Sequence, residues 1–313
     1  MKAEKAMNPI ESSTGAERSL EEYFERMRRL VDASLDRYLP REDEPPDIVH
    51  RAMRYSVFAG GKRLRPILAL ATAETLTGSW EPAVEFACAL EMLHTYSLIH
   101  DDLPAMDNDD FRRGRPTCHK QFGEAVAILA GNGLMTRAFW LLAGGTGETG
   151  APARRLELIR RLCEAIGTPN GVIAGQVVDL LTQGRPYDAQ QLRFIHEAKT
   201  AALIEISIWG AAILCDAPEE TAGRLRRFGR KIGLAFQIVD DILDEVGDAA
   251  EVGKTLGKDR AQQKATYPAL FGLEASREEA RRLKDEAVAE LADFGERARR
   301  LVQIAEFITA RRY

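Results

Sequence analysis

Phe236-Gln-Ile-Val-Asp-Asp-Ile-Leu-Asp244 closes a run in which Leu225, Phe228, Ile232, Phe236, Val239 and Leu243 recur every three or four residues. That spacing gathers the apolar side chains into one stripe of a helix. On the same helix Asp240 and Asp244 are four apart and share a face, with Gln237 one turn earlier. The stretch is thus an amphipathic helix that ends in a cluster of carboxylates.

Upstream, Phe86, Leu90, Leu93 and Tyr96 carry the same period into Leu98-Ile99 and a second cluster, Asp101-Asp102-Leu-Pro-Ala-Met-Asp107. Six residues separate Asp101 from Asp107, which on an unbroken helix places them on different faces. Pro104 disfavours continuing the helix, so the chain is expected to turn and bring Asp107 back towards Asp101. Arg112 and Arg113 follow, and paired arginines suit bidentate capture of phosphate oxygens. Hard carboxylate oxygens suit Mg²⁺, which binds through one or two carboxylates plus substrate phosphates. Acidic clusters are commonly solvated surface. Here the apolar flanks place the charge beside a core, where it is costly unless a cation offsets it. Two such clusters facing each other across a bundle would clamp a diphosphate through metal, which is the chemistry of an enzyme.

Turn signals at Pro45-Pro46, Gly60-Gly61, Gly144-Gly145, Gly184-Arg-Pro186 and Ala217-Pro218 separate helix-length segments, and strand-like alternation is scarce. The pattern predicts an all-α, single-domain bundle of roughly ten or more helices over residues 20–313, with the site between facing helices. Residues 1–19 are polar and read as a disordered tail. The 313 residues are 45% hydrophobic, enough for a sizeable core, and the net charge of −5 comes with no basic run that would suggest nucleic acid. Cys88, Cys118, Cys163 and Cys215 are widely spaced and read as reduced thiols. No run is expected to reach the roughly 18 apolar residues of a membrane span; Ala201 to Cys215 is too short and reads as a core helix. A cytoplasmic protein is the expectation. Residues 245–275 are the least regular, and Gly247, Gly253 and Gly257 with Lys254, Lys258 and Lys264 read as a mobile lid carrying cations to phosphate. Helices after about residue 276 read as amphipathic surface, and Arg311 and Arg312 are further candidates for the site.

The stretch His94-Thr-Tyr-Ser-Leu-Ile-His-Asp-Asp-Leu-Pro-Ala-Met-Asp-Asn-Asp-Asp-Phe-Arg-Arg-Gly-Arg-Pro-Thr-Cys-His119 closely resembles the first aspartate-rich motif of trans-prenyltransferases, the polyprenyl synthetase family, and is most similar to bacterial farnesyl diphosphate synthases. Phe236 to Asp244 resembles the second motif. Gly60-Gly-Lys-Arg-Leu-Arg-Pro66, Gly175-Gln-Val-Val-Asp-Leu180, Lys199-Thr200, and Gly253-Lys254 leading to Lys264-Ala-Thr-Tyr-Pro268 match further motifs in family order. The resemblance implies an isoprenoid synthase-like fold with a deep central cavity, and usually a homodimer. It implies that isopentenyl diphosphate is joined to dimethylallyl or geranyl diphosphate through an allylic carbocation, the departing pyrophosphate taking the final proton.

By the same resemblance, Asp101, Asp102, Asp107, Asp240, Asp241 and Asp244 hold several Mg²⁺ ions. Arg112, Lys199, Lys254 and Lys264 contact the allylic diphosphate, and Lys199, Thr200 and Gln237 place dipoles near the developing cation. Lys62, Arg65, His94 and Arg113 match the isopentenyl diphosphate pocket, with Lys62 and Arg65 expected on one helical face after the Gly-Gly turn. Tyr96, with Ser97 beside it, matches the position that limits product length and points to the fifteen-carbon farnesyl product. One departure is Ala202, where the family often has glycine near Lys-Thr, which bears on the geometry of Lys199. His50, His100, His119 and His196 receive no role. Competing readings are a geranylgeranyl or longer-chain synthase, a histidine-aspartate metal phosphohydrolase built on His100-Asp101, and a non-catalytic subunit.

Overall fold

Ser19 opens the first helix, α1 (Leu20–Tyr38), with a capping box: its hydroxyl accepts from the Glu22 N–H, and the Glu22 carboxylate accepts from the Ser19 N–H. Two of the four N–H groups that a helix leaves unpaired are satisfied in this way. The computed structural model describes residues 19–146, 151–246 and 264–310. Ser19 is therefore a helix cap, not part of a tail, and residues 1–18 lie outside the described residues. So do Lys254, Lys258, Arg311 and Arg312.

Helices α2 (Asp47–Val57), α3 (Leu64–Thr77), α4 (Val84–Asp101), α5 (Cys118–Phe122), α6 (Glu124–Leu142), α7 (Pro152–Ile166), α8 (Val172–Thr182), α9 (Ala189–Ile195), α10 (Ala202–Leu214) and α11 (Glu219–Val246) follow in order. Then come α12 (Tyr267–Phe271), α13 (Leu273–Glu290) and α14 (Arg299–Thr309). The fold is all-α. Among the described residues the exceptions are two-residue strands, β1 (Phe111–Arg112) and β2 (Arg115–Pro116), which pair antiparallel.

Helix α4 is central. Phe86, Ala87, Cys88, Leu90, Met92, Leu93, Tyr96 and Ile99 are buried all round its axis, which marks a helix surrounded by others. It packs on α3 and α6, α3 packs on α10, and α11 lies between α10 and α13. One continuous core runs from Tyr23 to Ile308 through these helices. Burying a side chain such as Phe228 contributes about 2 kcal/mol, and it is fully enclosed.

Two expectations need correction. Residues 245–275 are not irregular throughout, because Tyr267–Phe271 is helical and α13 starts at Leu273; Thr266 caps α12 by accepting from the Ala269 N–H. The late helices are amphipathic as expected, with Leu283, Ala287, Leu301, Ile304 and Ile308 on their buried faces. And α6 is long and apolar enough to cross a membrane by length and composition alone. Asn132 and Arg137 interrupt its apolar residues and hid it from a count of unbroken runs. It packs along α4 and α2, burying Ala127, Ala130, Leu134 and Ala138.

Candidate active site

The first cluster forms where α4 stops. Past Pro104 the chain folds back: the Asp107 N–H donates to the Asp101 carbonyl at 2.8 Å, and the Asp109 N–H to the Asp102 carbonyl at 3.1 Å. Asp107 therefore does return to Asp101. β1 and β2 close through Arg113 and Gly114, both with left-handed backbone (φ 54° and 74°). This tight hairpin turns Arg112 inward, where its guanidinium grips Asp102 with Nε at 2.9 and 3.0 Å and Nη2 at 2.6 Å. Asp102 is buried, and burial holds its carboxyl above the usual range despite Arg112.

Asp101 is pushed further, to about 6. Burial is the main cause; Lys199 and Arg112 oppose it, while the like charges of Asp107 and Asp102 add to it. These carboxylates sit close enough to repel, and a cation would relieve them.

The second cluster lies on α11. Asp240 and Asp244 are partly exposed, whereas Asp241 is buried. The link between the clusters is a π-helical turn, His196–Ala201, joining α9 to α10. Such wide turns recur at functional sites. Here the turn holds Lys199 against Asp179 of α8 at 2.5 Å and Thr200 against the Gln237 Oε1 at 2.6 Å. Burial opposes the charge of Lys199, but Asp179 and then Asp101 outweigh it and raise its pKa. Two glycines let the backbones approach this closely. A Cβ on Gly175 would lie 2.4 Å from the Lys199 nitrogen, and one on Gly233 would lie 2.8 Å from the Ala201 Cα. Gln237 passes the link on, its Nε2 donating to Asp241 at 2.8 Å. A second bridge runs through Lys264, whose Nζ is 3.2 Å from Asp107, to Tyr267, whose N–H donates to Asp241 at 2.8 Å. The π-turn and the Lys264–Tyr267 segment therefore tie the end of α4 to the second cluster on α11.

A second group of cations surrounds the Gly60-Gly61 loop. Lys62 precedes α3, so it does not share a helical face with Arg65 as expected; Arg63, the residue after it, is the left-handed N-cap at φ 51°. Lys62 Nζ lies 5.5 Å from the centre of the Phe307 ring. Arg113 donates to the Gly60 carbonyl. A small cleft beside Arg112 and Arg113 is lined by Tyr55, Ser56, Thr95 and Asp102. His94 is half-buried on α4, and its carbonyl accepts from the Ser97 hydroxyl at 2.9 Å. Tyr96 is 8% exposed and stands edge-on to His100 at 5.7 Å, five residues before Asp101.

Sequence reasoning passed over three residues. Arg63 is buried and binds Glu91 at 2.6 Å, Asp32 at 2.8 Å and the Val57 carbonyl at 2.7 Å, pinning the junction between the loop that carries Lys62 and the first turn of α3 that carries Arg65. His196 meets Asp241 at 3.1 Å, and Asp179 holds Lys199. A signal was present for two of them: Asp179 stands in the Gly175–Leu180 motif, and Arg63 lies between two residues already singled out. Beside Asp179, the Gln176 side-chain amide is buried with no hydrogen-bond partner among the described residues.

Among the described residues no three His, Cys, Asp or Glu side chains converge as a ready-made metal cage. The donor set is nonetheless hard oxygen, and the like charges of Asp102 and Asp107 crowd Asp101. It fits Mg²⁺, which needs few protein ligands when phosphates and water complete its shell.

Comparison with known proteins gives a consistent picture. The family model described as polyprenyl synthetase matches residues 46–304. A farnesyl diphosphate synthase of Geobacillus stearothermophilus is 45% identical over 263 residues, covering 84% of this chain and 88% of the relative. The chloroplastic heterodimeric geranylgeranyl pyrophosphate synthase large subunit 1 of Arabidopsis thaliana is 47% identical, covering 90% and 76%. The apo crystal structure of an FPP/GFPP synthase from Zymomonas mobilis superposes with a TM-score of 0.82 at 38% identity, covering 93% of this chain and 99% of that one.

Proposed function

Because the chain belongs to the polyprenyl synthetase family, we propose that it condenses isopentenyl diphosphate with dimethylallyl and geranyl diphosphate to give farnesyl diphosphate. The observation that carries this reading is the link between the two carboxylate clusters: Lys264 pairs with Asp107, Lys199 feels the charge of Asp101, and Thr200 beside it joins Gln237 and so Asp241. Asp101, Asp107, Asp240 and Asp244 offer carboxylate oxygens for Mg²⁺, with Asp102 and Asp241 behind them. Bound magnesium supplies Lewis-acid stabilisation of the leaving diphosphate. Lys199, Lys264 and Arg112 add fixed positive charge where negative charge builds up as the allylic bond breaks, which is worth most in a preorganised site. To reach a phosphate, Arg112 exchanges part of its contact with Asp102, and Lys199 part of its contact with Asp179. The Thr200 hydroxyl and the Gln237 amide present dipoles near the developing carbocation. Lys62, Arg65, His94 and Arg113 form a separate set for the second diphosphate, as two anions require.

Tyr96 supports the fifteen-carbon product. It sits five residues before Asp101 on α4, about 7.5 Å along the axis, where its ring would meet a tail anchored at the metal site. The relatives support the neighbouring reading too, since they include geranylgeranyl synthases. A histidine-aspartate phosphohydrolase loses its support here: His100 Nε2 lies at the Ile128 carbonyl, while His119 and His196 contact Thr117 and Asp241. Exposed Ile128, Leu129 and Trp140 on the apolar helix α6 support a homodimer. The test is incubation with each allylic diphosphate, isopentenyl diphosphate and Mg²⁺, followed by sizing of the dephosphorylated products. A fifteen-carbon product is expected, a twenty-carbon product transfers the assignment to geranylgeranyl synthesis, and no condensation refutes both.

A further inference from the structure

Asp241 differs from the outer residues of its own cluster. Its side chain is 3% exposed, and its oxygens meet donors from three elements. Oδ1 accepts from Gln237 Nε2 at 2.8 Å, while Oδ2 accepts from the Tyr267 N–H at 2.8 Å and from His196 Nε2 at 3.1 Å. A carboxylate only accepts, so His196 carries its proton on Nε2. The His196 ring stacks on that of Tyr267, with centroids 6.1 Å apart and planes at 27°. Tyr187 fastens the preceding residue from the other side: its hydroxyl accepts from the Thr266 N–H at 3.3 Å and donates to the Thr266 carbonyl at 3.4 Å. Two residues before Thr266, Lys264 reaches Asp107 of the first cluster at 3.2 Å.

We propose that Asp241, His196 and Tyr187 are positioning residues that clamp Thr266 and Tyr267, and so present Lys264 to the first carboxylate cluster. A lysine side chain loses rotamer entropy when held in place, and its reach depends on where its backbone is tied. The clamp ties it within three residues, to the helix that bears the second cluster. Asp241 in this role anchors chain, and the outer carboxylates of its cluster are left to the cation. The clamp deepens the proposed prenyl transfer only in its kinetic consequence, because its geometry exists without substrate.

Hydrogen exchange of the ligand-free full chain tests the geometry directly. In Asp241→Asn and His196→Phe the amides of residues 264–271 should exchange about tenfold faster, the opening expected when one charge-assisted hydrogen bond is lost. Helices α10 and α13 should keep their protection. Unchanged exchange in 264–271, or protection lost evenly along the chain, would overturn the clamp. Tyr187→Phe, which keeps the ring, provides the kinetic arm. It should raise the KM for the allylic diphosphate several-fold and leave that for isopentenyl diphosphate unchanged, and Lys264→Ala in that background should add little. Fully additive losses would show that Lys264 is not what the clamp positions. A wild-type chain inactive on prenyl diphosphates would refute the functional reading and leave the exchange result to decide the clamp.

Discussion

The Asp101 carboxyl, at about 6 against 3.8 for a free side chain, binds its proton more tightly in the folded protein than in the unfolded one. The stabilisation from this proton is complete below the unfolded value and is lost as pH rises through about 6. Above that pH the folded, metal-free protein holds a crowded carboxylate. Asp101→Asn, which cannot ionise, should therefore be more stable than wild type at pH 7.5 in chelator, by about 1–3 kcal/mol. The gap should close towards pH 4. Denaturant melts at the two pH values measure it, and a wild type that is the more stable partner at pH 7.5 would contradict the assignment. Tyr96 belongs to the same scale. Removing its buried ring should cost about 3 kcal/mol while letting products grow to twenty carbons or more, as read by chromatographic sizing. An active Tyr96→Ala variant that still stops at fifteen carbons would take the ring out of the mechanism.

Between α8 and the π-turn, packing and chemistry depend on one contact. Gly175 lets α8 approach the Lys199 backbone, and four residues on, Asp179 meets the Lys199 ammonium. A methyl group at Gly175 must push two backbones apart, because neither is a flexible side chain that can give way. Gly175→Ala should destabilise by about 1–3 kcal/mol and raise the KM for the allylic diphosphate more than that for isopentenyl diphosphate. Melting temperature and steady-state kinetics that both match wild type would deny the close approach. The Ala201-Ala202 step fits the same logic: Ala201 faces Gly233, so the glycine that lets the helices meet sits on α11 and not in the π-turn. Apolar character along the chain marked a helix from Ala201 to Cys215, just after Lys199-Thr200. It carried no sign of a π-turn, since the extra residue per turn is stabilised by neighbours on α8 and α11 that lie far off in sequence.

Over the whole molecule, α4, α11 and the π-turn enclose the site, while α6 leaves an apolar face uncovered at Ile128, Leu129 and Trp140. Leu129→Asp should weaken self-association, so that sedimentation velocity at micromolar concentration shifts from dimer towards monomer with helical content unchanged. A wild-type chain that sediments as a monomer would remove the proposed dimer. What the sequence by itself determined were the features that arise within a few turns of chain. These are the helical class from its period, the two carboxylate clusters, and the turn after Pro104 that returns Asp107 to Asp101. Only the tertiary structure decided which charges pair: Arg63 with Glu91, Lys199 with Asp179, His196 with Asp241, and Lys264 with Asp107. Local periodicity follows from backbone geometry that each residue carries with it, whereas an ion pair between distant helices exists only once packing has brought both partners out of water to the same place.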